Sequence, residues 1–261
     1  MSARISSINY CPVKSISFQT IEMCEIKKDI GIIGDRIFAF SQGLELENVK
    51  LFEKNPEERK GKWNKILTLK NSPFLNKYNF LFRDDKLTLF LKNEPILTID
   101  INQLDERLQL SSKLLELENT LKQPIVLMKN KECPFFDTSI SKKVDFVNSV
   151  SLLNVQSIKD FEKKIGEKIE ASRFRGNICI DGINAWEERN WIGKTIKIKD
   201  ILFKVEKNIP RCVAINLKPK TDNNTLNLLH SLKKTYNHFD MGIYITPLND
   251  GKINISDKIS L

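Results

Sequence analysis

The sequence lacks most of the residues that usually announce a catalytic centre. Only two histidines occur, His230 and His238, and their spacing keeps them from sharing a helix face at i, i+4. The five cysteines, Cys11, Cys24, Cys133, Cys179 and Cys212, are odd in number and form no C-x-x-C pair. That suggests neither a disulfide framework nor a structural zinc site of the usual spacing. G-x-G-x-x-G, Walker, G-x-S-x-G and H-E-x-x-H signatures are absent. No apolar run is long enough to span a bilayer, and the longest candidate, Phe146 to Ile158, is interrupted by Asn148, Ser149, Ser151, Asn154 and Gln156. The N-terminus shows no apolar core followed by small residues, so a cytoplasmic protein is the expectation. Ten glycines and nine prolines among 261 residues rule out collagen-like and low-complexity chains.

What is there is ordinary globular material, 41% hydrophobic and 29% charged, enough for one large β-rich domain or two small ones. The net charge of +9 arises from 42 basic and 33 acidic residues. Thirty-three of the basic residues are Lys, scattered along a chain that also holds 24 Asn. This is a compositional drift rather than a binding patch, and neither nucleic acid nor membrane is expected as a partner.

The first hundred residues read as strands. Ile16, Phe18 and Thr20 alternate, as do Leu87, Leu89 and Leu91, and Ile66 to Leu69 forms another short apolar run. Many short strands with close turns predict a barrel or sandwich. From Asn102 to Leu121 the period becomes helical, and Pro124 stops it. A second unit then opens with Ile125 to Met128. Ser157 to Asp160 has the capping-box pattern, with Gly166 as a stop. Strands resume at Asn177 to Ile180, Thr195 to Val205 reads as a hairpin, and Leu226 to Lys234 as a short helix. Asn249-Asp250-Gly251 is placed as a hairpin turn joining Ile243–Ile245 to Ile253–Ile255. The fold class is mostly β with a few helices (α+β), in two units: 1–122, a β-barrel-like domain, packed on 123–261, a β-rich domain.

Polar clusters punctuate the strand ends. They are Lys14-Ser15, Asp35-Arg36, Thr138-Ser139, Arg173-Phe174-Arg175-Gly176-Asn177 and Arg211-Cys212. Cations and hydroxyls at loop tips suit an anionic, phosphate-bearing ligand. Each cluster alone also reads as turn chemistry or solvated charge. Arg211 beside Cys212 favours a thiolate, the form that acts as nucleophile or metal ligand. No histidine neighbours it as a base, so a soft-metal ligand, a persulfide carrier and a buried inert thiol all stay open.

Taken in order, these clusters resemble MOSC proteins, named for the molybdenum-cofactor-sulfurase C-terminal domain. Tyr10 to Ser15 and Gly34-Asp35-Arg36 resemble the N-terminal β-barrel domain associated with MOSC. Arg173-Phe174-Arg175-x-Asn177 is similar to the R-F-R-P-N motif, with Gly176 in place of the usual Pro. Glu188-x-x-Trp191-x-Gly193, Arg211-Cys212, Lys218-Pro219-x-Thr221, Met241 to Tyr244 and Gly251 to Asp257 follow in the family's order. The mitochondrial amidoxime-reducing component and its bacterial counterparts are similar in these motifs.

The resemblance implies a molybdenum–molybdopterin (pyranopterin) cofactor held between two domains. Cys212 is then the metal ligand and catalytic residue. Lys14, Ser15, Arg36, Thr138, Ser139, Arg175, Asn177, Arg211 and Tyr244 are the cofactor-binding set. The implied activity is an oxidoreductase that removes oxygen from N-hydroxylated or N-oxide-like small molecules. A separate flavoprotein or iron–sulfur protein would supply electrons. The alternative is a sulfur-carrier or cofactor-handling module using a Cys212 persulfide.

Overall fold

A computed structural model of the protein describes residues 3–16, 18–136, 148–221 and 226–261. In chain order the strands begin with β1 (Arg4–Tyr10), β2 (Gln19–Ile21), β3 (Met23–Lys27), β4 (Gly31–Ile32) and β5 (Phe38–Gln42), followed by helix α1 (Leu46–Lys54). Next come β6 (Tyr78–Arg83), β7 (Lys86–Leu91), β8 (Glu94–Asp100), helix α2 (Leu104–Leu117) and β9 (Ile125–Lys129). β10 (Val150–Asn154) leads through α3 (Val155–Ile165) to β11 (Ile178–Asp181), β12 (Thr195–Ile198) and β13 (Ile201–Pro210). Then follow α4 (Leu228–Tyr236), β14 (Asp240–Pro247), β15 (Gly251–Asn254) and β16 (Ile259–Ser260). The α+β, mostly-β class implied by composition and turn spacing is the class observed.

The chain forms two compact units. The C-terminal unit gathers Met1–Tyr10, Gln19–Ile33 and Asn148–Leu261, and the middle unit gathers Cys11–Phe18 and Gly34–Val147. These units cut the chain elsewhere than between residues 122 and 123, because backbone pairing overrides sequence proximity. β1 pairs antiparallel with β11, from Arg4↔Asp181 to Ile8↔Ile178, and β3 pairs with β15. β9, read from sequence as the opening of the second unit, pairs along its length with β5 and lies in the middle unit.

The barrel expected of the N-terminal part is not found. Among the described residues every sheet is open: one of eight strands in the order β16-β12-β13-β14-β10-β11-β1-β2, one of β15-β3-β4, one of β5-β9 and one of β6-β7-β8. In the middle unit both α1 and α2 contact β9, so helices rather than further strands cover that ribbon. The sequence reading had no helix at α1. It also placed Ile16 and Ile66–Leu69 in strands. Ile16 lies in a turn whose N–H donates to Val13 O, and Ile66 makes only an isolated bridge to Ser41 before the turn at Thr68–Asn71. β14 and β15 are not a hairpin; they belong to different sheets. Asn249 instead docks the intervening loop on the β12–β13 turn, accepting from Leu202 N at 2.8 Å and donating to Asp200 O at 3.1 Å.

The eight-stranded sheet owes its arrangement to burial on both faces at its centre. β10 and β11 run parallel, joined by the α3 crossover. Leu152 and Ile180 enter the apolar cluster on one face, while Leu153 and Cys179 enter the cluster on the other. Such doubly covered strands read as continuous apolar runs rather than alternating ones. β13 nearer the edge alternates, with Ile201, Phe203 and Val205 buried and Leu202 and Lys204 exposed.

α3 begins one turn earlier than the capping box at Ser157 implied. Asn154 is its cap, accepting from Gln156 N at 3.0 Å, and Gly166 ends it at φ 72°. Ser157 has another role. Its hydroxyl is bonded to the carboxylate of Glu188 at 2.8 Å, and Asn154 Nδ2 donates to the same carboxylate at 2.9 Å. Glu188 is wholly buried. Desolvation pushes its carboxyl above the usual range, outweighing these hydrogen bonds. A carboxyl raised on folding stabilises the protein fully below its unfolded value, and this contribution is lost as pH rises through the folded value. Glu188→Gln removes the titration. Its stability relative to the native protein should therefore rise between acidic and neutral pH in urea unfolding. A flat or falling difference contradicts this reading. Glu188→Ala, which strands Ser157 and Asn154, should cost about 2–4 kcal/mol at acidic pH and less as pH rises.

Candidate functional site

In the C-terminal unit Arg211 and Cys212 stand at the end of β13. Cys212 follows Pro210, the last residue of that strand, and precedes the 3-10 turn Val213–Asn216. It is exposed, whereas Cys11, Cys24 and Cys179 are buried and Cys133 is half-buried. Burial also pushes the Cys133 and Cys179 thiols up, further from the reactive thiolate.

Arg211 faces inward. Its Nε donates to Met241 O at 2.8 Å, its Nη1 donates to Phe174 O at 2.8 Å, and its Nη2 also reaches Met241 O. The backbone N–H of Arg211 donates to Phe239 O at 2.9 Å. The guanidinium therefore ties the end of β13 to β14 and to the turn before β11. These bonds make it a fixture for its neighbour Cys212.

Of the two arginines of the Arg173–Asn177 motif, Arg173 lies in the 3-10 turn Ala171–Phe174 and Arg175 caps its end. Arg173 is buried, with Nε on Glu170 Oε2 at 2.6 Å and Nη1 on Asn216 O at 2.8 Å. Phe174 packs inward. Arg175 is half-buried and left-handed, with φ 49°. Asn177 is buried and its carboxamide works inside the sheet. Oδ1 accepts from Ser151 N at 3.2 Å and from Ser151 Oγ at 2.7 Å, and Nδ2 donates to Asn9 O at 3.2 Å. This clasp joins β10 and β1 to the backbone just before β11. Ser151 and Asn9, its partners, carried no sequence signal beyond their polarity in apolar strands. Tyr244 is buried on β14, opposite Ser151 of β10 and Lys207 of β13.

In the middle unit Lys14 and Arg36 come together around Phe136. Lys14 is buried and its ammonium donates to Phe136 O. The Arg36 guanidinium pairs with Asp35 and lies 5.0 Å from the Phe136 ring centroid. Asp35 also accepts from Cys11 N at 2.6 Å. Ser15 and Arg36 are left-handed, at φ 65° and 52°. Outside glycine this conformation costs about 1–2 kcal/mol and is found where backbone must present a group. Thr138 and Ser139 lie outside the described residues.

Two glycines shape the frame. Gly242 has φ 78°, and a Cβ there would strike the Leu152 carbonyl on β10. Gly176 faces the Leu153 side chain with no room for a Cβ. The residue that departs from the R-F-R-P-N pattern is thus matched to Leu153. Gly176→Ala should destabilise by about 1–3 kcal/mol, the usual range for overpacking, with partial recovery in Gly176→Ala/Leu153→Ala. Denaturant midpoints measure both, and an unchanged midpoint in the single variant contradicts the fit.

With this geometry in place, residues 141–260 match the family model of the MOSC domain. The match holds the part of the motif series from Arg173 to Asp257. Over 112 residues the chain is 36% identical to the molybdenum cofactor sulfurases of Drosophila yakuba and Drosophila melanogaster, covering 40% of this chain. The aligned stretch is 14% of the length of those relatives. Among solved structures, the YUAD protein from Bacillus subtilis superposes over 99% of this chain and 94% of its own, at TM-score 0.45 and 11% identity. YiiM from Escherichia coli covers 43% of this chain and 53% of its own, at TM-score 0.34 and 16% identity. Among the described residues no helix is long and apolar enough to cross a membrane, and no group of three His, Cys, Asp or Glu side chains forms a metal site.

Proposed function

We propose that the protein binds a pyranopterin molybdenum cofactor and that Cys212 supplies a thiolate to the metal. The carrying observation is that Cys212 alone of the five thiols is exposed, at a strand end fixed by Arg211. The donor set fits the group: a soft thiolate for a soft metal, and cations and hydroxyls for a phosphate. The MOSC match and the similarity to molybdenum cofactor sulfurases support a molybdenum-cofactor-related role.

When bound, the metal supplies Lewis acidity and a two-electron store suited to removing oxygen from an N-hydroxylated or N-oxide-like substrate. The chain's own residues do the holding. Lys14, Ser15, Arg36 and Arg175 are proposed as contacts to the pterin and its phosphate, with Thr138 and Ser139 as further hydroxyl donors. Arg211 and Asn177 fix backbone, Tyr244 walls the site, and Cys212 orients the metal. A separate flavoprotein or iron–sulfur protein is the proposed electron source.

A second reading, a sulfur-carrier or cofactor-handling module bearing a Cys212 persulfide, draws on the same exposed thiol. It is favoured by the name of the sulfurase relatives. Mass spectrometry after exposure to a cysteine desulfurase separates the two. A persulfide at Cys212 without stoichiometric molybdenum supports the carrier, and the reverse supports the reductase.

On the leading reading, Cys212→Ser abolishes reduction of N-hydroxylated compounds while pterin is largely retained, because the phosphate contacts do not depend on the metal ligand. Arg175→Ala should instead lose the pterin. Ser replacements at Cys11, Cys24, Cys133 and Cys179 should keep the metal. Full activity in Cys212→Ser would overturn the thiolate assignment.

A further inference from the structure

The Cys133–Phe136 segment carries the residue on which Lys14 and Arg36 both lean, and it is held from the other side by Arg59. Arg59 is a buried arginine in the 3-10 turn Pro56–Arg59. Its Nη1 donates to Cys133 O at 2.8 Å and to Pro134 O at 3.4 Å, and its guanidinium lies 4.0 Å from the Phe135 ring centroid. Its Nε donates to Phe52 O at 2.6 Å and its Nη2 to Glu53 O at 3.4 Å. Those two carbonyls lie in the last turn of α1, where helix carbonyls lack intrahelical partners and a cation is favourable. One fork thus joins a rigid helix end to an irregular strap.

The strap then passes the constraint on. Phe135 N donates to Arg36 O at 2.8 Å, Phe136 O receives the Lys14 ammonium, and the Phe136 ring faces the Arg36 guanidinium. Arg36 N in turn donates to Cys11 O at 2.7 Å, and Lys14 N to Phe38 O at 2.8 Å. We infer that Arg59 is a positioning residue: through Cys133–Phe136 it sets Lys14 and Arg36 at the spacing in which they receive an anionic group. This rests on the reading of Lys14 and Arg36 as cofactor-phosphate contacts. The role needs arginine, since an ammonium lacks the planar fork that reaches four carbonyls at once.

The test is a cycle on the full chain, made in a host that produces the cofactor and read as the rate of pterin loss after dilution. Thermal unfolding is followed alongside. Arg59→Met should speed pterin loss by about tenfold, the equivalent of one charge-assisted hydrogen bond. Arg59→Lys should fall between Arg59→Met and the native protein, and it decides the matter if Arg59→Met does not fold. In the Lys14→Ala/Arg36→Ala background neither Arg59 substitution should speed the loss further. An equal acceleration in both backgrounds would mean general support of the fold and overturn the inference alone. Native pterin retention by Lys14→Ala/Arg36→Ala would overturn the reading beneath it as well.

Discussion

The Arg211 guanidinium is the interaction on which the C-terminal unit's chemistry depends. It binds the carbonyls of Met241 and Phe174, and so joins the end of β13, the start of β14 and the turn before β11. Three motifs far apart in sequence become one frame through one planar cation. Hydrogen bonds from a charged donor stabilise by about 1.5–3 kcal/mol each, more than neutral ones. Cys212 follows directly, which is why an exposed thiol can sit on a fixed backbone. Gly242 makes the arrangement possible, because its left-handed backbone lets β14 approach β10 where a Cβ would meet the Leu152 carbonyl.

Buried polar groups serve as joints in both units. Asn177 clasps β1 and β10 to the backbone just before β11, and Glu188 joins α3 to the turn Glu187–Trp191. In the middle unit Arg59 does the same for the strap under Lys14 and Arg36. Each joint satisfies several backbone or side-chain groups at once, so its loss exposes more than one unmet hydrogen bond.

Local features were legible in the sequence and pairings were not. The β12–β13 hairpin at Lys199-Asp200 and the α3 stop at Gly166 follow from turn and cap chemistry within a few residues, and both are where the reading put them. The barrel failed because closure depends on which strand meets which. Nothing local says that β9 pairs back to β5, or that β15 joins β3 and leaves β14. For the candidate site, motif order singled out Cys212 and Arg175, and the structure shows an exposed thiol at the one and left-handed backbone at the other. Arg59 escaped because its partners, Phe52 O and Cys133 O, are backbone atoms on distant segments and leave no pattern in residue types. Arg211 was read as a charge beside a thiol, whereas its fork is turned toward carbonyls that only the folded chain supplies.

The central claim is that this chain holds a molybdenum cofactor through Cys212 and a set of cationic contacts. The most direct measurement is the molybdenum and pterin content of the purified full chain, expressed in a host that makes the cofactor. The account predicts about one molybdenum and one pterin per chain, the stoichiometry of a single thiolate ligand to a soft metal. Protein that emerges free of both metal and pterin under those conditions contradicts it.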